Sequence, residues 1–115
     1  MDNKSLAESF VKNFCNANME GIDSLLSAQF KLKGPLFTFN TKQEYLNSLD
    51  GNLEADPDAE ILSITESKDE AAAFFTYKGN IIGQLFRCNA GKIYETMLVF
   101  DTKNMPNVAL ENERR

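Results

Sequence analysis

From Ala59 to Asp101 the spacing of the apolar residues is extended, whereas the helical period belongs to the part of the chain before it. Leu6, Phe10 and Phe14 recur at helical spacing, whereas the residues from Ala59 to Asp101 form short apolar runs separated by polar turns. Helices gathered ahead of consecutive strands favour an α+β fold over a parallel sheet with alternating elements. Because a twisted sheet of this size curls, we expect the helices to pack on its concave side and to leave a cavity there.

Two four-residue segments predict where helices begin. Ser5–Glu8 and Thr41–Glu44 both have the pattern of a capping box, in which a hydroxyl caps a backbone N–H and a glutamate reaches back. The first predicts a helix that runs to about Asn18, and the second predicts a helix that has Tyr45 on its inward side and ends at Gly51. A shorter helix is predicted after Gly21.

The extended segments predict one isolated strand and a group of four. The isolated strand is the alternating segment Phe30–Lys33, which Gly34 and Pro35 end because proline cannot donate to a strand ladder. The pair Gly79-Asn80 is typical of a two-residue hairpin turn. The remaining strands form a predicted antiparallel meander with these bounds: Ile61–Thr65, Ala71–Lys78, Ile81–Cys88 and Lys92–Asp101.

The length and the charge limit the number of domains and the kinds of partner. A chain of 115 residues is close to the commonest size of a single domain, so we expect one domain over residues 1–115. The polar tail after Thr102, which contains Pro106, is expected to be partly ordered or frayed. The formal net charge of −5 predicts that neither nucleic acid nor an anionic membrane surface is a partner.

The chain contains two cysteines and no histidine. Without histidine, the Ser-His-Asp triad, the Cys–His dyad and the usual catalytic zinc sites are excluded, so acid–base chemistry would require carboxylates, Tyr, Lys or water. We interpret Cys15 and Cys88 as buried structural thiols of a cytoplasmic protein, because neither a signal peptide nor a membrane-spanning segment is evident. In the acidic segment that begins at Asp50, Ala55 occupies the sixth position and Ile61 the twelfth, where a calcium-binding EF-hand loop requires Gly and Glu. No metal or cofactor is predicted.

The order of these elements resembles the nuclear transport factor 2-like superfamily, and in detail its SnoaL-like branch. The segments that carry the resemblance are Phe10–Phe14 with Gly21–Leu26, Phe30–Pro35 with Thr41–Leu49, and Phe86–Ile93 continuing to Asp101. The resemblance covers most of residues 5–102 and implies a cone-like half-barrel, an open-ended apolar pocket and dimerisation through the outer sheet surface. It does not imply one function, because the fold is found in isomerases, dehydratases, epoxide hydrolases, polyketide cyclases and binding proteins.

The catalytic residues of members similar to ketosteroid isomerase have no counterpart in this sequence. Their carboxylate base corresponds to Gly34, and their carboxylic acid on the penultimate strand corresponds to a position near Gln84. Their oxyanion-binding tyrosine falls near Asn13 or Phe14. The Asp–Arg–Asp arrangement of limonene epoxide hydrolase-like members is not recognisable either, so no catalytic residue is assigned.

Extending the resemblance to the strand register predicts which side chains face the pocket. On the last strand Tyr94, Thr96, Leu98 and Phe100 would face inward, and the residues between them would face a convex, dimeric side. The predicted ligand-binding residues are Phe14, Phe30, Leu32, Phe37, Tyr77, Gln84, Phe86, Tyr94, Thr96, Leu98 and Phe100. The alternative is that these aromatic side chains fill a closed core.

The sequence therefore leaves three functional hypotheses. The first is a homodimeric pocket protein that binds a small apolar or amphipathic molecule with no assigned catalysis. The second is an enzyme of the isomerase, dehydratase or cyclase type that uses Tyr or carboxylate groups. The third is a dimeric accessory module that binds protein, which a filled interior would favour.

Overall fold

The helices and strands follow the predicted order. A computed structural model describes residues 1–102, so the prediction made for the tail lies outside the described residues. The elements are α1 (Asn3–Cys15), α2 (Met19–Leu25), β1 (Leu26–Lys33), β2 (Thr38–Phe39), α3 (Lys42–Leu49), β3 (Ile61–Glu66), β4 (Glu70–Tyr77), β5 (Asn80–Asn89) and β6 (Lys92–Phe100). None of the helices within residues 1–102 has the length and hydropathy needed to cross a membrane.

The strands form one open, curved sheet. Its six strands lie in the order β2-β1-β6-β5-β4-β3. Strand β1 pairs in parallel with β6, while every other neighbouring pair is antiparallel. Helix α1 contacts β3, β4 and β5, and α3 contacts β1 and β2, so the helices lie against one face. The predicted α+β class with a mostly antiparallel curved sheet is confirmed.

The helix caps are partly those predicted. Ser5 does not begin α1, because the Asp2 carboxylate accepts the Ser5 N–H at 2.7 Å and the helix starts two residues earlier than Ser5. This hydrogen bond lowers the pKa of Asp2. The second capping residue is confirmed, since Thr41 Oγ1 accepts the Glu44 N–H at 3.1 Å, and the Glu44 carboxylate accepts the Asn40 N–H at 2.9 Å.

The turn between β4 and β5 is displaced by one residue from the predicted position. Tyr77 pairs with Asn80, so the turn residues are Lys78 and Gly79 rather than Gly79 and Asn80. Their φ angles are 52° and 81°. Positive φ at both positions is the geometry that matches the twist of two antiparallel strands.

The core lies between the helices and the concave face of the sheet. Four phenylalanines from α1, β1, β4 and β5 are fully buried there: Phe10, Phe30, Phe75 and Phe86. Aliphatic side chains of α1 and α2 complete the layer, including Leu6 and Ile22. This arrangement places the concave side of β5 and β6 in the middle of the molecule.

Candidate functional site

The candidate site is the concave face of β5 and β6. Phe86 lies directly opposite Thr96, and Gln84 lies opposite Leu98. Gln84 and Thr96 are 5% and 1% exposed, so two polar side chains lie in an otherwise apolar interior. Both were predicted to face inward, because alternate residues of a strand share a face and the family resemblance implied which face that is.

Aromatic rings occupy most of the space between this face and the helices. The Phe10 centroid lies 5.3 Å from Phe86, 6.4 Å from Phe14 and 6.5 Å from Tyr45. Tyr45 also contacts Phe30, with centroids 5.3 Å apart. Helical spacing predicted Tyr45 on the inward side of α3 but not as a site residue, because spacing along a helix does not specify which sheet residues a side chain contacts.

Half-buried apolar side chains surround the interior on the side of β2. The rings of Phe37 and Phe39 lie 5.4 Å apart, and Phe37 lies 6.4 Å from Phe100. Leu98 is also half-buried and packs against the core. We call these four residues the mouth, because they form an incompletely covered part of the interior.

The polar groups of the interior lack protein partners. Thr96 Oγ1 is buried and makes no hydrogen bond within the described chain. The side-chain amide of Gln84 and the hydroxyl of Tyr45 also make none with any other residue of 1–102. Burial raises the pKa of Tyr45 above its ordinary value. An unpaired buried polar group costs about 1–3 kcal/mol. Among the three, Thr96 Oγ1 is the fully buried atom in the described chain that carries this cost, so it is the position where a ligand atom would be stabilised most.

The remaining inward residues form apolar walls, and one has its polar group occupied. Phe30 and Leu32 of β1 are fully buried. The rings of Phe14 and Tyr77 meet at 5.1 Å, and the Tyr77 hydroxyl donates to the Glu54 carbonyl at 2.5 Å. Tyr77 therefore contributes its ring to the interior, while its hydroxyl anchors the acidic loop.

Tyr94 does not share a face with Thr96, which corrects the predicted alternation. The pairing of β5 with β6 changes register at this point, because Arg87 pairs with Glu95 while Cys88 pairs with Ile93. Tyr94 is the extra residue of this β-bulge and is 36% exposed, whereas Ile93 is fully buried. No sequence feature of β6 signals the bulge.

Two cavities lie outside the aromatic interior. One of about 360 Å³ lies between α1 and the segment before β3, and Cys15 and Asp56 are among its lining residues. The other, of about 660 Å³, lies beside the β5–β6 turn and includes Tyr94 and Cys88. Of the predicted ligand-binding residues, Tyr94 alone lines either of these two cavities.

Both cysteines are buried and free. Burial raises the pKa of Cys15 and of Cys88 to about 11, so both are neutral thiols at physiological pH. A neutral thiol is a poor nucleophile. The prediction that the cysteines are buried is confirmed.

The opposite, convex face of the sheet carries an ion-pair network and an apolar patch. Arg87 donates to Glu70 at 3.0 Å and to Glu95 at 3.1 Å. Four residues from Arg87 on β5, Gly83 lies between Phe74 on β4 and Val99 on β6. The Phe74 and Val99 side chains are 51% and 62% exposed. A β-carbon at Gly83 would lie 2.9 Å from both side chains, so glycine allows them to approach each other.

No family model matches this sequence, and no curated protein matches it. Solved structures match the fold. A nuclear transport factor 2-like protein of unknown function from Cytophaga hutchinsonii has a TM-score of 0.78 at 15% identity, over 91% of this chain and 95% of that chain. An LEH-like epoxide hydrolase from M. tuberculosis has a TM-score of 0.73 at 13% identity, over 96% of this chain and 90% of that chain.

A third solved structure is IdmH, a candidate polyketide cyclase from Streptomyces antibioticus. It has a TM-score of 0.75 at 13% identity, over 93% of this chain and 97% of that chain. At these identities the likeness concerns the fold and not the activity. The fold is the nuclear transport factor 2-like fold, and the resemblance seen in the sequence is confirmed at that level.

Proposed function

We propose that this protein binds a small apolar or amphipathic molecule against the concave face of β5 and β6. The observation that carries the proposal is the buried Thr96 hydroxyl, which has no partner within the described chain. The Gln84 amide, two residue pairs away on the neighbouring strand and on the same face, is the second free donor. A ligand with an apolar body and one carbonyl-like acceptor would satisfy both groups.

The position of the mouth supports the same ligand class. Leu98 lies opposite Gln84 and Phe100 lies opposite Ile82, so the half-buried side chains continue directly from the buried polar pair. Because aromatic rings occupy the space above the sheet, a ligand must displace or rotate side chains of the mouth to reach Thr96. We therefore expect slow or weak binding of bulky molecules and better binding of small ones.

A binding role is favoured over a catalytic one by the chemistry of the interior. Its unpaired polar groups belong to Gln84, Thr96 and Tyr45, and the first two cannot act as acids or bases near neutral pH. The raised pKa of Tyr45 keeps its hydroxyl protonated, as a hydrogen-bond donor. The epoxide hydrolase among the similar structures shares the fold, and its activity is not transferred to this chain.

The test compares two apolar probes with the same number of heavy atoms, acetophenone and isopropylbenzene. Only the ketone can accept a hydrogen bond from Thr96 or Gln84. We expect the ketone to bind about tenfold more tightly, which corresponds to one hydrogen bond of about 1.4 kcal/mol. Binding is measured by titration of ¹H–¹⁵N chemical shifts, which also show whether the shifted residues surround Thr96.

The variants Thr96→Val and Gln84→Met should reduce the preference for the ketone while isopropylbenzene binds as before. Thr65→Val, at an exposed position of β3, is the matched control and should leave the preference unchanged. Equal affinity for both probes in the unmodified protein would contradict the proposal. So would a ketone preference that survives both substitutions.

We propose homodimerisation through the convex face as a second function of the sheet. Its support is the exposed patch formed by Phe74, Val99 and Ile81. Large apolar side chains grouped on one face of a sheet are costly to leave in water. The patch lies near the centre of a twisted sheet, where two copies can stack face to face about a twofold axis.

Light scattering should give a dimer for the unmodified chain and a monomer for Phe74→Lys with Val99→Lys. A monomer at all concentrations of the unmodified chain would exclude this interface.

A further inference from the structure

Tyr94 occupies a gap in the sheet. The ladder with β5 changes register there, and so does the ladder with β1, in which Leu26 pairs with Ile93 and the next pair is Lys31 with Glu95. Residues 27–30 of β1 therefore have no ladder partner among the described strands. Four residues of one strand lie opposite one residue of its neighbour, and the sheet opens between them.

The opening is the cavity of about 660 Å³. Its floor is apolar, since Leu26 and Cys88 are buried lining residues. Its rim is polar and includes Gln29 and Asn89. A volume of this size with an apolar floor and a few polar groups is typical of sites for small molecules.

Hydrogen bonds hold the rim in place. Lys92 Nζ donates to the Ser24 carbonyl at 2.5 Å, which ties the β5–β6 turn to α2. The Cys88 N–H donates to the Asp69 carbonyl at 3.0 Å, which ties β5 to the β3–β4 turn. On β1, the Gln29 N–H donates to Ser27 Oγ at 3.0 Å. The cavity is therefore framed by segments that are fixed to one another.

Tyr94 is the group within this frame that is free to bind. Its hydroxyl makes no hydrogen bond to any residue of 1–102, whereas the hydroxyl of Tyr77, on the same sheet, donates to Glu54. A bulge turns a side chain away from the regular alternation, and here it directs Tyr94 to the cavity. A partly exposed phenol ring offers both an aromatic face and a polar end.

The charges at the rim select the net charge of a ligand. Asp69 and Lys92 both line the cavity and carry opposite charges, so neither an anion nor a cation gains from the local field. The formal net charge of −5 on the whole chain further disfavours anions. Ser27 Oγ donates to Gln29 Oε1 at 3.2 Å, which leaves the Gln29 amide NH2 as a donor. We propose that this cavity is a second binding site, for a small aromatic molecule of zero net charge that stacks on Tyr94 and hydrogen-bonds to this NH2 and to the amide of Asn89.

The two cysteines provide a local readout, because each lines a different cavity. The Cys15→Ala variant leaves Cys88 as the reporter of this site, and the Cys88→Ala variant leaves Cys15 as the control. Modification by methyl methanethiosulfonate is followed by mass spectrometry with and without 2-naphthamide. We expect saturating 2-naphthamide to slow modification of Cys88 by about tenfold or more and to leave Cys15 unaffected.

Three comparisons separate this site from unspecific protection and from the interior site. Tyr94→Phe should keep most of the protection and Tyr94→Ala should lose it. The charged analogues 2-naphthoate and 2-naphthylmethylammonium should protect less than 2-naphthamide. Thr96→Val should leave the protection of Cys88 unchanged, because Thr96 belongs to the interior and not to this cavity.

Several results would overturn the proposal. Equal protection of Cys15 and Cys88 would mean that the probe acts on the protein as a whole. Protection that persists in Tyr94→Ala, or that is strongest for a charged analogue, would exclude the proposed recognition. The reaction is run at pH 10, where a thiol with a pKa of about 11 is partly ionised. A Cys88 that does not react there, while the unfolded chain does, would show that the cavity is closed to small molecules.

Discussion

The Phe86 ring on β5 and the Phe10 ring on α1 meet edge to face, with centroids 5.3 Å apart and planes inclined at 63°. Both rings are fully buried. An edge-to-face pair contributes about 0.5–1.5 kcal/mol beyond the area that it buries. Because Phe86 on β5 is also directly paired with Thr96 on the adjacent strand β6, this contact joins the first helix to the candidate site.

Phe86→Ala should lower the free energy of unfolding by about 3–5 kcal/mol, since it removes a fully buried ring and leaves a cavity. Phe74→Ala, on the convex face and 51% exposed, is the matched control and should cost no more than about 1 kcal/mol. Urea denaturation followed by circular dichroism measures both. Equal losses would mean that the Phe86 ring is not at the centre of the core.

The same substitution should have opposite effects at two threonines. Thr96→Val removes a buried hydroxyl that has no partner in the described chain, so it should raise the free energy of unfolding by about 1 kcal/mol. Thr41→Val removes the cap of α3, in which Oγ1 accepts the Glu44 N–H. This substitution should lower the free energy of unfolding by about 0.5–2 kcal/mol. Thermal unfolding of the two variants checks the signs. A destabilised Thr96→Val protein would show that the hydroxyl has a partner.

The sequence predicted those parts of the fold that depend on local periodicity. Alternation along β5 put Gln84 and Phe86 on one face, which the family resemblance implied to be the inner one, and the Thr41 pattern located α3. Both local signals are confined to a few neighbouring residues. The parallel pairing of Leu26 with Ile93 joins residues far apart in the chain, and no local pattern specifies it. The bulge at Tyr94 arises where that pairing meets the β5 ladder, so it was missed for the same reason.

The extent to which the interior is filled also depends on contacts between distant elements. Helical spacing showed that Tyr45 faces inward, but its contacts with Phe10, Phe30 and Phe39 depend on how α3 lies across the sheet. The turn at Lys78 and Gly79 was misplaced by one residue because lysine rarely adopts positive φ. The sequence therefore predicted the apolar character of the site better than its shape.

Arg87→Ala should destabilise the protein more than Lys78→Ala does. Arg87 bridges Glu70 and Glu95, and the Glu95 side chain is only 9% exposed, so its carboxylate would be left buried without a cation. Lys78 pairs with Glu54, which is 73% exposed, and water can replace that interaction. The midpoint of urea denaturation should fall clearly for the first variant and barely for the second. The reverse order would show that the bridge on the convex face is not a stabilising contact.

The two buried thiols should make stability depend on pH above the neutral range. Burial raises the pKa of Cys15 and Cys88 from 9.0 to about 11, so each thiol stays protonated in the folded chain while it ionises in the unfolded chain. The unfolded state then binds fewer protons between these two values, and the free energy of unfolding falls as pH rises through that interval. Below pH 9 both states hold the proton and the thiols add no slope.

The measurement is the urea midpoint at pH 7, 8, 9, 10 and 11, for the unmodified protein and for the double variant Cys15→Ala with Cys88→Ala. The double variant is expected to be less stable at every pH, since two buried side chains are truncated. Its urea midpoint should nevertheless fall less steeply between pH 9 and 11, because the two thiols no longer contribute. A decline remains, since the tyrosines and lysines that also titrate there are unchanged. Identical slopes would mean that the thiols ionise as easily in the folded protein as in the unfolded one, and hence that both cavities admit enough water to solvate a thiolate.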